Sequence, residues 1–327
     1  MKKLMAVLLL ATIVLTGCSK TKEVPPPPPT PPSSLGVKET QPLPRTQEKP
    51  SLPGALCVMV DNYYKARPQS GLDRADLVYE ILAEGGITRY LAFFYQESAE
   101  KIGPIRSARY YFVQLARGYD VPFAHAGGNA DALALIPKIG IKDLDEIYNA
   151  QGYFWRDNKR QMPHNLYSST EKLLAGAQTK GYKLVSLALP VGSTWEGTVH
   201  KPEISFDYSA GKYKYQASWV FEKGSYLRKI NGKPHLMEDG TPIIADNLIA
   251  MVASTREVMK EELESEIKLI GKGEARYFID GKMMAGSWEK PSAEENIRFL
   301  DKKGQPVKFK SGKTWVQVLP GWGKLAS

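Results

Sequence analysis

The polar residues of this chain fall in short clusters rich in arginine, glycine and proline, at 67–71, 85–89, 103–109, 125–129 and 156–165. A guanidinium is a planar fork that meets phosphate or carboxylate with two parallel hydrogen bonds. Glycine lets backbone N–H groups approach an anion closely. Arg67, Arg89, Arg106, Arg109, Arg156 and Arg160, with Gly127 and Gly128, are therefore expected to line an anion pocket. The competing reading pairs these arginines with Asp76, Glu80, Glu84 and Asp157 in a satisfied network. The groups that could move protons are Asp76, Glu80, Glu84, His125 and His164. On a strand, Glu80 and Glu84 share a face but stand about 13 Å apart. That exceeds the roughly 5–10 Å between paired carboxylates in glycosidases. His164, between Pro163 and Asn165, reads as a turn-fixing hydrogen bonder sooner than as a base. No HxxxH, CxxC or GxSxG spacing occurs. No metal site, other cofactor or serine nucleophile is expected on that ground.

Positioning these groups requires rigid elements, since sites lie on loops held by strands and helices. The apolar run 55–60, ending at Asp61-Asn62, reads as a buried strand. Residues 77–83 and 88–95, rich in β-branched and aromatic side chains, flank Gly85-Gly86 and predict a hairpin. A helix over 73–84 is the alternative. Helices are expected over 107–117, from about 129 through Ile136, and over 169–180. Asn231-Gly232 and Asp280-Gly281 between apolar runs predict two further hairpins, and 314–319 alternates as a final strand. Trp195, Trp219, Trp288, Trp315 and Trp322 read as core filling of a β module sooner than as a sugar-stacking surface. The expected fold is α+β: a mixed α/β domain of layered sheet and helices at 54–198, then a mostly antiparallel β module at 199–327.

Before residue 54 the chain has a different character. Lys2-Lys3, an apolar stretch over 4–15 and Leu15-Thr16-Gly17-Cys18 give the pattern of a bacterial lipoprotein signal. The expectation is cleavage after residue 17 and diacylation of the Cys18 thiol, a palmitate-type anchor on diacylglycerol. Several acyl chains hold a protein durably where one does not. Eleven of the 23 prolines lie within 19–53, including 25–29, so 18–53 reads as an extended spacer. Its ~35 residues at ~3 Å each reach up to about 100 Å from the lipid. Cys57, in an apolar run, is expected as a buried free thiol. The 44 Lys+Arg against 35 Asp+Glu give +9, or +7 without Lys2 and Lys3. That mild excess suits anionic lipids or polymers. With no basic block and no nucleic-acid motif, a nucleic-acid partner is not expected.

Several of these segments resemble the YerB-type bacterial lipoprotein family, whose molecular activity is not established. They are RPQSGL at 67–72, ADLVYEILAEGGITR at 75–89, IGPIRSAR at 102–109, HAGG at 125–128, FWRD at 154–157 and PHNLY at 163–167. The pattern around Gly273, Trp288 and Thr314-Trp315 is also similar. The resemblance implies two associated α/β parts, lipid-anchored to the outer face of a Gram-positive-type cytoplasmic membrane. Tyr63-Tyr64 stands where many relatives carry His-Pro, so this chain lacks a histidine there. A weaker likeness joins Arg74 with Asp76, the Pro104–Arg106 turn and 125–128 to the LytR-CpsA-Psr phosphotransferases. These move anionic polymers from polyprenyl pyrophosphate to the wall, using magnesium. Ser107 replaces an acidic residue that helps them hold the ion. Magnesium usually needs a carboxylate plus phosphate oxygens, and Asp76 alone is a thin ligand set.

The expectation is thus a membrane-anchored lipoprotein that binds an anionic envelope component, or a protein partner, without catalysis. The alternatives are a polyprenyl-phosphate-dependent phosphotransferase with magnesium and a scaffold that regulates wall synthesis.

Overall fold

A computed structural model describes residues 52–192, 197–259 and 263–326. The expected signal segment 1–17, Cys18, nearly all of the spacer and Trp195 lie outside the described residues. Strand β1 (Leu56–Asp61) is buried along its whole length, as its unbroken apolar run requires. The hairpin around Gly85-Gly86 is present as β2 (Leu77–Glu84) and β3 (Ile87–Phe94), and the alternative helix over 73–84 is not. Both glycines have positive φ, +50° and +81°, as a two-residue turn joining twisted strands demands.

Next come α1 (Tyr110–Tyr119), β4 (Phe123–His125), α2 (Ala130–Ile139) and β5 (Asp143–Asp145). Asn129 caps α2 by accepting from the Ala132 N–H. The short pair β6 (Trp155–Arg156) and β7 (Leu166–Tyr167) precedes α3 (Thr170–Thr179), capped by Ser169. Beyond residue 197 lie β8 (Val199–His200), β9 (Glu203–Asp207), β10 (Gln216–Glu222), β11 (Ser225–Ile230), β12 (Lys233–Pro234), β13 (Ile244–Ala245) and β14 (Asn247–Val252). They are followed by β15 (Thr255–Met259), β16 (Leu263–Ile267), β17 (Gly271–Ile279), β18 (Lys282–Lys290), β19 (Arg298–Asp301), β20 (Thr314–Leu319) and β21 (Leu325–Ala326). The two predicted Asn-Gly and Asp-Gly turns join β11 to β12 and β17 to β18.

Among the described residues, 13 strands form one sheet whose main path runs β19-β18-β17-β14-β20-β2-β3-β1-β4-β5. Strands from before and after residue 198 share it, because β20 inserts parallel between β14 and β2. A second sheet, of six strands, contains β9 to β13 and β21. The fold is α+β.

Strand alternation sends successive side chains to opposite faces. Tyr79 and Phe93 point to α1, where both rings meet Tyr119. Glu80, Tyr90, Trp315 and Gln317 point the other way, into the six-stranded sheet, where Tyr208, Tyr215 and Trp219 receive them. Trp219, Trp288 and Trp315 are buried core residues, as expected, and Trp322 is partly exposed. Cys57 is a buried free thiol whose pKa burial pushes up.

Candidate functional site

β1 and β2 run in the same direction on either side of antiparallel β3, and β4 and β5 run parallel to β1. The carboxyl ends of β1, β2, β4 and β5 therefore form one edge, where open sheets with parallel strands bind ligands. At that edge β1 and β4 separate, and Arg106 fills the gap. Its backbone N–H donates to Met59 O at 3.0 Å, and its carbonyl accepts from Ala126 N at 3.1 Å.

Three guanidinium groups gather here. Arg89 donates to Glu84 Oε1 at 2.5 Å, to Ser107 O at 2.7 Å and to Ser107 Oγ at 3.0 Å. Arg109 reaches the other oxygen, Glu84 Oε2, at 3.1 Å. Glu84 lies directly opposite Glu264 of β16, a costly pairing of like charges. Arg109 sits between them, its Nε 4.0 Å from Glu264 Oε1. Arg89 and Arg109 are both buried, at 1% and 4% exposure.

Arg106 is held differently. Its side chain is 31% exposed, and the ion-pair contact recorded for it is Asp61 at 3.6 Å, longer than a hydrogen bond. Partial burial, then the charge of Arg89, push its pKa down; Asp61 and Glu84 oppose this and Arg109 adds to it. The net direction is downward, led by burial.

Asp61 ends β1 and is almost wholly buried. Its Oδ1 accepts from the Tyr63 N–H and its Oδ2 from His164 Nδ1, both at 2.8 Å. Burial raises its pKa, but the hydrogen bonds from His164 and Tyr63 and the charges of Arg89 and Arg106 outweigh that and lower it. His164 stacks on Tyr63 at 5.3 Å, and Tyr213 stacks with Tyr63 at 6.4 Å.

The remaining expected site residues are placed elsewhere or used otherwise. Arg67 donates to Asn62 and Tyr213 and stacks over Tyr215. Arg156 is taken by Glu146 and Asn165. Arg160 donates to the carbonyl of Pro68 and to the Tyr167 hydroxyl. Gly127 gives its N–H to Asp145 Oδ1 at 2.8 Å and so does not offer it to an anion. Gly128 packs tightly beside Ala132 and Ala108 O.

His125 is fully buried, with Nδ1 against Gly127 O and Nε2 against Asp143, and has a structural part. Asp76 precedes β2, at the opposite end of the sheet from Arg106 and Arg109, where the N–H groups of Tyr95 and Gln96 donate to its carboxylate. Burial nevertheless raises its pKa. The phosphotransferase constellation of Asp76 with Arg106 and Arg109 is thus not assembled. Arg74 lies with Asp76, paired to Asp73 and Glu97.

Glu80 is also no surface acid. It accepts from Arg228 at 2.7 Å, Tyr215 at 2.5 Å, Thr88 and Gln317 at 2.9 Å, and Trp315 at 3.3 Å. Arg228 Nε donates to His235 Nδ1, His235 Nε2 to Gln69, Gln69 to Asn62, and Asn62 to Thr88. The chain of bonds closes on Glu80 and joins the two sheets.

Sequence reasoning missed the roles of Asp61, Tyr63, Arg228 and His235. Asp61 had a signal: an acid at the exit of a wholly apolar strand. Arg228 had one too, sharing a strand face with buried Tyr226.

With this geometry in place, comparison with known proteins is decisive for kinship. Residues 42–183 match the model described as "Protein of unknown function (DUF3048) N-terminal domain", and 204–316 match the corresponding C-terminal domain. A Bacillus subtilis (strain 168) protein named "Putative lipoprotein YerB" is 31% identical over 98% of this chain and 96% of its own length. The chain belongs to the YerB (DUF3048) family. A crystal structure of YerB from Bacillus subtilis superposes with a TM-score of 0.75 at 30% identity, covering 84% of this chain and 93% of that one. The function of this family is unknown, and the name of its Bacillus relative is that of a lipoprotein.

Proposed function

We propose that this YerB-family protein is an extracellular lipoprotein that binds an anionic component of the cell envelope at Arg106. In this reading Cys18 carries diacylglycerol and a further acyl chain after removal of 1–17, and the spacer holds the folded part clear of the outer face of the membrane. The observation that carries the binding site is the state of Arg106. It is a partly exposed guanidinium at the strand switch, backed by two buried arginines and held by a 3.6 Å ion pair. Sugar-phosphate polymers, polyprenyl phosphates and acidic protein segments all present the paired anionic oxygens that a guanidinium fork recognises. Binding is the activity the arginines supply by themselves, without a cofactor.

The test is calorimetric titration of the purified full chain with inorganic phosphate, teichoic-acid fragments and polyprenyl phosphate in detergent. Binding should be strongest at low salt, where screening is least, and weakened in Arg106→Gln. No heat of binding for any of the three at low salt rejects the reading.

A further inference from the structure

Four histidines occur in the chain, and their surroundings sort them. His125 and His235 are buried with both ring nitrogens engaged. His200 is exposed on a short edge strand. His164 alone among them has one nitrogen fixed by a buried carboxylate, while no hydrogen bond to its other nitrogen is found among the described residues. The Asp61 contact places the imidazole N–H on Nδ1, so the neutral ring carries its free lone pair on Nε2. The side chain is 12% exposed, enough to meet solvent. Stacking on Tyr63 fixes the ring plane. Asp61 Oδ2, which orients His164, is the same oxygen that faces Arg106.

A carboxylate holding a histidine tautomer, with the second nitrogen open, is the arrangement of a general base and its orienting group. Here its carboxylate is shared with the guanidinium assigned above to an anion, since Asp61 Oδ2 lies 2.8 Å from His164 Nδ1 and 3.6 Å from Arg106 Nε. We propose that Asp61 and His164 form a hydrolytic site for phosphoric esters and anhydrides whose leaving group departs as a stable anion. This deepens the reading of Arg106 and rests on it for the position of the phosphoryl oxygens.

In the step, His164 Nε2 takes a proton from water as the water oxygen bonds to phosphorus. The bond from phosphorus to the leaving group breaks, and that group leaves as its anion. His164 then returns the proton to solvent. Arg106 neutralises charge on the non-bridging oxygens, with Arg89 behind it. Asp61 acts through His164 and is a positioning residue.

The experiment uses the full chain and bis(4-nitrophenyl) phosphate, whose leaving group needs no acid. Release of 4-nitrophenolate is followed against pH, with inorganic phosphate as competitor. In parallel, diethyl pyrocarbonate labelling of wild type, read by mass spectrometry, reports on His164 without any substitution. The expected result is release above the buffer rate, with a kcat about 100-fold lower in His164→Gln, in line with the usual worth of a general base. One ionisation should vanish from the pH profile of that variant. Phosphate should protect His164 from labelling and leave His200 unprotected.

Release no faster than in buffer, with phosphate still protecting His164, overturns the proposal and leaves the anion site standing. Equal turnover by His164→Gln also overturns it. Release that depends on His164 but is indifferent to phosphate and to Arg106→Gln supports the base and removes the Arg106 reading instead.

Discussion

Glu80 of β2 and Arg228 of β11 meet at 2.7 Å with both side chains fully buried. They come from different sheets, so this ion pair is an adhesive between layers and not a catalytic carboxylate beside a substrate. Three aromatic rings, Tyr90, Trp219 and Trp315, lie within 6 Å of the guanidinium carbon. Burial of a charge is tolerated here because every oxygen of Glu80 is bonded and the guanidinium is wrapped in π faces.

Breaking that pair on one side should be severe. Glu80→Gln or Arg228→Met leaves its partner charged and dry, which costs about 3–5 kcal/mol. The double variant Glu80→Gln/Arg228→Met should recover much of the loss, since a neutral interior needs no counter-charge. Urea unfolding of the four proteins gives the cycle. A loss in the double variant equal to the sum of the two single losses would show that the pair contributes no coupling.

His235 makes the same junction sensitive to acid. Burial, then the charges of Arg228 and Arg67, push its pKa well below the ordinary histidine value. The ring must stay neutral to accept from Arg228 while donating to Gln69. Below about pH 6.5 the unfolded chain takes up a proton that the folded chain refuses, so stability falls as the pH drops. The slope approaches about 1.4 kcal/mol per pH unit for this one group. Denaturant midpoints from pH 7.5 down to 5 should show the decline, and His235→Gln should flatten it. Asp61, whose carboxyl pKa is lowered, contributes stability above about pH 4 and loses it at more acid pH. Between about pH 6.5 and 4 the decline belongs to His235, and Asp61 adds to it below that.

The local parts of this fold were legible and the long-range parts were not. Gly85-Gly86, Asn231-Gly232 and Asp280-Gly281 predict their hairpins because few residues take positive φ at both turn positions. The helices were readable from their apolar period. By contrast, nothing near residue 314 says that β20 slides parallel between β2 and β14. The site divides in the same way. Arg89, Arg106 and Arg109 lie at one edge of the sheet, but Arg89 and Arg109 are paired to Glu84, as the competing network reading had it. Arg160 is instead used up by a carbonyl of residue 68, a partner that has no sequence signature. His164 reads locally as a turn residue, yet its decisive partner is Asp61, 103 positions away.

The two glycines of the first hairpin should respond differently to alanine. Both have positive φ, so each substitution carries roughly 1–2 kcal/mol of backbone cost. At Gly85 a Cβ would meet open space. At Gly86 it would lie 2.6 Å from the Ala210 Cβ and 3.0 Å from Tyr208 O, both in the loop that the six-stranded sheet lays over this turn. Gly86→Ala should therefore be clearly the less stable variant in thermal unfolding. Matching midpoints would mean that this loop yields without cost.

Among the six arginines expected to bind an anion, the geometry ranks one above the rest. Arg156 already has an acid and an amide, Arg160 a carbonyl and a hydroxyl, and Arg67 an amide, a carbonyl and a ring. Recruiting any of these to a ligand means first breaking bonds of comparable strength. Arg89 and Arg109 are bound to Glu84 from behind, and their charge acts on the site through space. Arg106 needs only to let go of a long contact that His164 already supplies better to Asp61. Arg106→Gln should therefore weaken phosphate binding about tenfold, the effect of roughly 1.4 kcal/mol at a partly exposed charge-assisted contact. Arg156→Gln should leave the affinity unchanged. Raising the ionic strength from 0.01 to 1 M shortens the screening length from about 30 to about 3 Å. The difference between wild type and Arg106→Gln should shrink accordingly, because what distinguishes them is a charge reached through solvent. Titrations at the two salt concentrations measure this directly, and a salt-independent gap would place the effect of Arg106 in packing instead.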